Sequence, residues 1–292
     1  MRAYTIGLVL LCAACDAEDP PSPRDPFGVL PSRSATVRTP RIGPFETPMT
    51  ASSATLESGG VVEASTAKPE APHPETPPAV CPPEMVLVHG DHCTEVRQDC
   101  LEWIDPDIPP FPRKRCRRFA SSVCTGKKKH MRFCIDRFEN AQTETALPTS
   151  DVSWTLARST CEAAGKRLCN EGEWVFACEG EELRPYPNGY VRDATVCNFD
   201  REDLVDEKGK MRDYREPANA NPRCESPFGV RNMVGNVDEW TWIDGSNNKP
   251  WRAALKGGWW LAGRNRCRPA TTGHDEFYHD LQTGFRCCKE AP

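Results

Sequence analysis

The sequence predicts a loop-rich α+β domain stapled by disulfides and carried on an unstructured tether. Three observations lead there. The 292 residues include 16 cysteines and 28 prolines, both in excess, while only 38% of the chain is hydrophobic. All eight tryptophans and fourteen of the cysteines fall between Cys81 and Cys288. Within that stretch short apolar runs sit among clusters of Gly, Pro and Asn, the pattern of short strands joined by long loops.

The N-terminus sets the compartment. Met1-Arg2 precede an apolar run from Ile6 to Leu11 and then Cys12-Ala13-Ala14-Cys15, the layout of a secretory signal with a small-residue cleavage site. Residues 1–14 are expected to be removed. The Ala-Ala-Cys ending resembles a bacterial lipoprotein box that would place a lipid on Cys15, although Cys12 stands where a leucine is usual; plain secretion is the alternative. The expected location is therefore the cell envelope, as a lipoprotein of the outer membrane or periplasm, or outside the cell. The fourteen cysteines that follow are an even number, enough for seven disulfides in an oxidising compartment.

Residues 15–80 read as a disordered linker rich in Pro, Ser and Thr. From Asp16 to Val80 there are 13 prolines, no cysteine, and only Phe27 and Phe45 as aromatics, too little apolar surface to order the segment. Such chain is stiff and reaches far per residue. Residues 81–292 form the single folded domain. No stretch of 18 apolar residues occurs, so no helix is expected to span a membrane, and membrane contact would come through the lipid anchor. The net charge of −5 argues against a nucleic-acid partner.

Inside the domain the elements follow in order. Apolar runs at Met85–His89 and Arg132–Ile135 are expected strands. Ser153 to Gly165 opens on a capping residue and closes on a helix-ending glycine, with Trp154, Ala157, Cys161 and Ala164 at helical spacing. Asn170 and Glu173 form a capping box for a second helix that carries Trp174 and Cys178 one turn apart and stops at Gly180. Gly284–Cys288 is the last expected strand. Between Arg113 and Arg132 lie nine Lys or Arg and no acid. This basic run is expected to be a solvated face, with an anionic glycan, lipid headgroup or acidic protein as the functional alternative. His89 with His92, and His274 with His279, lack a third ligand at recognisable spacing and read as exposed loop histidines.

Five motifs then appear in one order: Gly165-Lys-Arg-Leu-Cys-Asn-Glu-Gly-Glu-Trp174, Tyr186-Pro-Asn-Gly189, Pro227-Phe-Gly-Val-Arg-Asn-Met-Val-Gly-Asn-Val-Asp-Glu-Trp240, Lys256-Gly-Gly258 and Gly284-Phe-Arg-Cys287. Together they resemble the formylglycine-generating enzyme, or sulfatase-modifying factor, domain. The resemblance implies a compact, asymmetric α+β fold with little regular structure, distantly C-type-lectin-like. Active members oxidise a substrate cysteine to formylglycine with copper and oxygen.

What the resemblance implies for this chain is mixed. Copper(I) is a soft ion that binds a pair of thiolates. In active members that pair lies between Lys-Gly-Gly and a later structural cysteine, whereas here Trp259 to Arg266 holds no cysteine and Trp259 replaces the usual serine. Copper is therefore not expected, and no catalytic residue is assigned. Cys267 matches the structural cysteine, and family pairings imply Cys161–Cys287 and Cys178–Cys267. Neighbouring strand residues face opposite ways, so Cys288 needs a different partner from Cys287, for which Cys169 is the choice; Cys197 with Cys224 completes the set. Cys81, Cys93, Cys100, Cys116, Cys124 and Cys134 stay open among 15 connectivities.

The family's structural calcium pattern implies ligands from the Asn232 side chain, the Gly235 and Val237 carbonyls and the Glu239 carboxylate, with a second site starting at Asn198 and the Phe199 carbonyl. Trp259 and Trp260 fall where the family has its substrate groove. Two functions compete. One is a non-catalytic binding or structural module for an envelope or extracellular protein or glycan. The alternative is an oxidase of the formylglycine-generating type that modifies an exported protein through a different metal centre.

Overall fold

The computed structural model describes residues 80–105, 115–245 and 252–292, all within one compact unit. The expected signal peptide, Cys15 and all but the last residue of the linker lie outside the described residues, as do Arg113 and Lys114 of the basic run. Among the described residues no helix is long and apolar enough to cross a membrane.

Among the described residues, twelve strands and two helices build the domain. The first sheet has the order β1 (Met85–Cys93), β6 (Lys128–Asp136), β12 (Cys287–Glu290), β7 (Arg167–Leu168), with antiparallel neighbours throughout. The second has the order β10 (Ala270–Thr271), β9 (Ala253–Lys256), β8 (Asp238–Trp242), β11 (Thr283–Phe285), with β8 and β11 parallel. Two ribbons, β2 (Val96–Arg97) with β5 (Val123–Cys124) and β3 (Cys100–Trp103) with β4 (Cys116–Phe119), complete the set.

The helices start and stop where local chemistry directs. Helix α1 (Trp154–Ala163) is capped by Ser153, whose side chain accepts from the Leu156 amide. It buries Trp154, Ala157 and Cys161 on one face. Helix α2 (Glu171–Glu179) follows Asn170, whose amide donates to the Glu173 carboxylate at 2.9 Å, and ends at Gly180 with φ +65°. A side chain at Gly180 would also meet the ring of Pro227 at 2.7 Å, so this position needs glycine twice over.

One strand expectation needs correction. Gly284–Cys288 is not one strand but two, broken at Arg286: β11 belongs to the second sheet and β12 to the first. The break lets Arg286 turn its guanidinium into the interior, where it is fully buried. Beyond it, Cys287 and Cys288 face opposite ways. Cys287 joins the core formed by Trp154, Trp240, Leu255 and Phe285, while Cys288 joins the core of Val88, Phe133, Ile135, Trp174 and Phe176.

Seven disulfides use all fourteen cysteines of the domain. Cys161 is bonded to Cys287, Cys178 to Cys267, Cys169 to Cys288 and Cys197 to Cys224. The six cysteines left open by the sequence pair as Cys81–Cys134, Cys93–Cys124 and Cys100–Cys116. These three pin the first 55 or so residues of the domain onto β6 and the two ribbons.

Candidate functional site

The segment after Lys256 is where the resemblance directs the search for a site. Gly257 and Gly258 have φ of +84° and +70°, and a Cβ on Gly257 would lie 2.6 Å from the Met233 carbonyl oxygen. That tight double turn feeds a loop closed on itself by Asn265. Its side-chain amide donates to the Trp259 carbonyl at 2.6 Å, and its side-chain oxygen accepts from the Gly263 amide at 3.0 Å and Arg192 Nη2 at 2.9 Å. Trp259 is half-buried, but Trp260 is 0% exposed, with ring centres 5.0 Å apart in an edge-to-face contact. Of the two tryptophans expected in a groove, Trp260 is therefore core, because the loop folds inward around it.

Charges around this loop are mostly neutralised in pairs. Arg264 donates to Asp238, whose carboxyl is pushed above its ordinary range by burial. Arg192 and Arg115 share Asp200, at 2.6 and 3.3 Å. Arg266 lies over the Phe119 ring at 5.2 Å, and burial lowers its affinity for a proton. Lys256 is fully enclosed; its ammonium meets Glu171 at 3.2 Å and the Arg268 carbonyl at 2.6 Å, and burial pushes it down to about 8. The loop offers no thiolate: residues 259–266 contain no cysteine and Cys267 is bonded to Cys178. The side chains present do not fit copper(I), which needs soft sulfur ligands.

The second cluster lies in the turn from Asn232 to Glu239. Asn232, Gly235 and Asn236 all have positive φ, near +53°, +78° and +57°. The Asn232 side-chain oxygen is buried with no hydrogen-bond partner, an acceptor of the kind calcium takes. The Glu239 carboxylate is already engaged: Oε2 accepts from Trp174 at 2.8 Å and Arg286 Nε at 2.7 Å, and Oε1 from Arg286 Nη2 at 2.6 Å. A carboxylate oxygen has two lone pairs, so Oε1 keeps one acceptor position. The Asn198 side-chain oxygen accepts from Arg201 Nε at 3.0 Å and, like Glu239 Oε1, keeps one acceptor position.

Sequence reasoning missed Glu139. This fully buried carboxylate receives the side-chain amides of Asn232 and Asn236 at 3.2 and 2.7 Å and the Val237 amide at 3.2 Å. Burial, and then the charge of Glu239, push its carboxyl up to about 8. No local signal marks it, since Glu139 sits in an ordinary charged stretch after β6.

The expectation for His89 and His92 changes as well. His89 and His92 lie in β1, not a loop; His89 is exposed, but His92 is 7% exposed, and burial lowers it to about 4. His274 stacks on Tyr278 at 3.7 Å, and His279 meets Asp151 at 2.7 Å on the surface. In the basic run Arg115 pairs with Asp105 and Arg117 with Glu102, while Lys127, Lys128, Lys129 and Arg132 are exposed.

Comparison with known proteins places these features. A sequence profile described as the sulfatase-modifying factor enzyme 1-like domain matches residues 112–291. The chain is 29% identical over 154 residues to the inactive C-alpha-formylglycine-generating enzyme 2 of Bos taurus, covering 50% of this chain and 51% of that protein. It is 32% identical over 108 residues to the formylglycine-generating enzyme of Bos taurus, covering 32% of this chain and 26% of that one. The chain thus spans about half the length, or less, of these curated relatives. Among solved structures it is similar to CarF, with a TM-score of 0.47 and 14% identity over 72% of this chain and 99% of that one. It is also similar to PvdO from Pseudomonas aeruginosa, with a TM-score of 0.45 and 18% identity over 75% of this chain and all of that one. Because the profile match covers well over half of its residues, this chain belongs to the sulfatase-modifying factor enzyme 1-like domain family.

Proposed function

We propose that the protein is an exported, non-catalytic member of this family: a disulfide-stapled module that binds or organises another envelope or extracellular component, a protein or a glycan. One observation carries the reading. The loop at residues 259–266 has no thiol, and Cys267, beside it, is committed to Cys178. Seven disulfides belong to an oxidising, exported compartment. The relatives named as inactive enzymes support a scaffold that persists without the chemistry.

In this reading a lipid on Cys15 holds the domain at the membrane, and the proline-rich linker gives it reach. A structural calcium ion belongs to the same reading. It would be held by the orphaned Asn232 oxygen, the Gly235 and Val237 carbonyls and the remaining acceptor position of Glu239, bracing a turn whose backbone is in an unfavoured region. The test is incubation of the purified protein with a sulfatase-motif peptide, copper and reductant, read by mass spectrometry. No conversion of cysteine to formylglycine above a protein-free control is expected, and conversion would overturn the proposal.

A further inference from the structure

The face of β1 and β6 that turns away from the core carries a pair of imidazoles. His89 lies directly opposite Arg132, and Asp91 directly opposite His130, so these four side chains share one face. Val88, Phe133 and Ile135, on the other face, are in the core. The rings of His89 and His130 are cross-strand diagonal neighbours with centres 4.9 Å apart and planes at 84°. Both are exposed.

We propose that His89 and His130 form a surface site for a divalent transition-metal ion of the zinc or copper(II) class. An ion about 2.0–2.1 Å from one nitrogen of each ring holds the ring centres about 4.5–5.2 Å apart, between a right-angled and a tetrahedral ligand angle. The observed separation lies inside that span. Asp91 accepts from His130 Nδ1 at 2.9 Å, and a carboxylate only accepts, so Nδ1 carries the proton and the lone pair of Nε2 is left for an ion. This is the carboxylate–histidine arrangement that orients and strengthens metal-bound imidazoles.

Two further features favour the site. The nine-residue ladder between β1 and β6, tied at its ends by Cys93–Cys124 and Cys81–Cys134, fixes the strands in advance, so little order is lost on binding. Asp91, with Glu181 accepting from the Asp91 amide at 2.8 Å, offsets the nearby charges of Arg132 and Lys128. Among the described residues no three or more His, Cys, Asp or Glu side chains are grouped to hold a metal, so water completes the coordination shell. The proposal is independent of the non-catalytic reading.

The experiment is titration of the tag-free full chain with zinc against a chelating dye, in the presence of saturating calcium, together with its melting temperature. One ion per chain and a raised melting temperature are expected, because an ion across β1 and β6 binds only the folded form. His89→Ala and His130→Ala should each weaken binding at least tenfold, and Asp91→Asn by about tenfold. His279→Ala, in the other histidine–aspartate pair, should leave it unchanged. All four positions are on the surface, so the metal-free melting temperatures should match the parent and separate loss of binding from loss of fold. Zinc binding by the His89→Ala/His130→Ala double variant equal to the parent's, or no stoichiometric binding at all, would overturn the site.

Discussion

Arg286 is the residue on which the interior charge balance turns. Its guanidinium meets both oxygens of Glu239 and the carbonyls of Asp136, Arg137 and Arg231, the last three at 3.2, 3.4 and 2.9 Å. Burying such a pair gains little, but removing one member strands the other. Arg286→Met should therefore destabilise the domain by about 3–5 kcal/mol, and adding Glu239→Gln should recover part of the loss. Urea unfolding with disulfides intact measures both; a single-variant loss well under about 1 kcal/mol would reject the role.

Glu139 lies beside that pair and gives the domain a pH dependence. Its carboxyl is raised from 4.5 to about 8, so the folded state holds a proton that the unfolded chain releases. Stability from this group is complete below the unfolded value and falls as pH rises through that window. Glu139→Gln removes this part of the slope and loses the bond to the Val237 amide, about 1 kcal/mol. Comparing the parent and variant at about pH 5 and about pH 8 is the test, and parallel profiles would reject it.

At the scale of elements, the one-residue break at Arg286 between β11 and β12 decides more than its length suggests. A continuous strand would have put Arg286 on a sheet face; the break sends it inward and hands β12 to the first sheet. The adjacent Cys287 and Cys288 then tie β12 to α1 and to the end of β7 from opposite faces. Cross-links that close long loops restrict the unfolded chain most. Cys161–Cys287 spans 126 positions and Cys100–Cys116 only 16, a chain-entropy difference of about 2 kcal/mol. Replacing the first pair by serines should lower stability by more than replacing the second, and equal losses in thermal unfolding would contradict this ordering.

For the whole molecule, seven disulfides leave no free thiol among the described residues. Thiol titration of the denatured, unreduced domain should read zero. The calcium proposal also belongs at this scale, since an ion bound only to the folded form raises its melting temperature. The chelator-stripped protein should melt higher with calcium than without, and Asn232→Ala should abolish the difference. A parent protein indifferent to calcium would remove the ion from the reading.

Sequence alone determined what local chemistry controls. Ser153, Gly165, Asn170, Glu173 and Gly180 mark both helices because caps and turns act over three or four residues. The missing cysteines between Trp259 and Arg266 and the motif order are likewise properties of the chain itself. Tertiary structure decided what depends on register and burial. The pairing of the six N-terminal cysteines, the enclosure of Trp260 and the inward turn of Arg286 depend on which strands meet. So do Glu139 beneath the Asn232 turn and His89 beside His130 rather than His92. A strand reveals its alternation in sequence, but its partner and its register are set by long-range packing, and these clusters are assembled across strands and loops far apart in the chain.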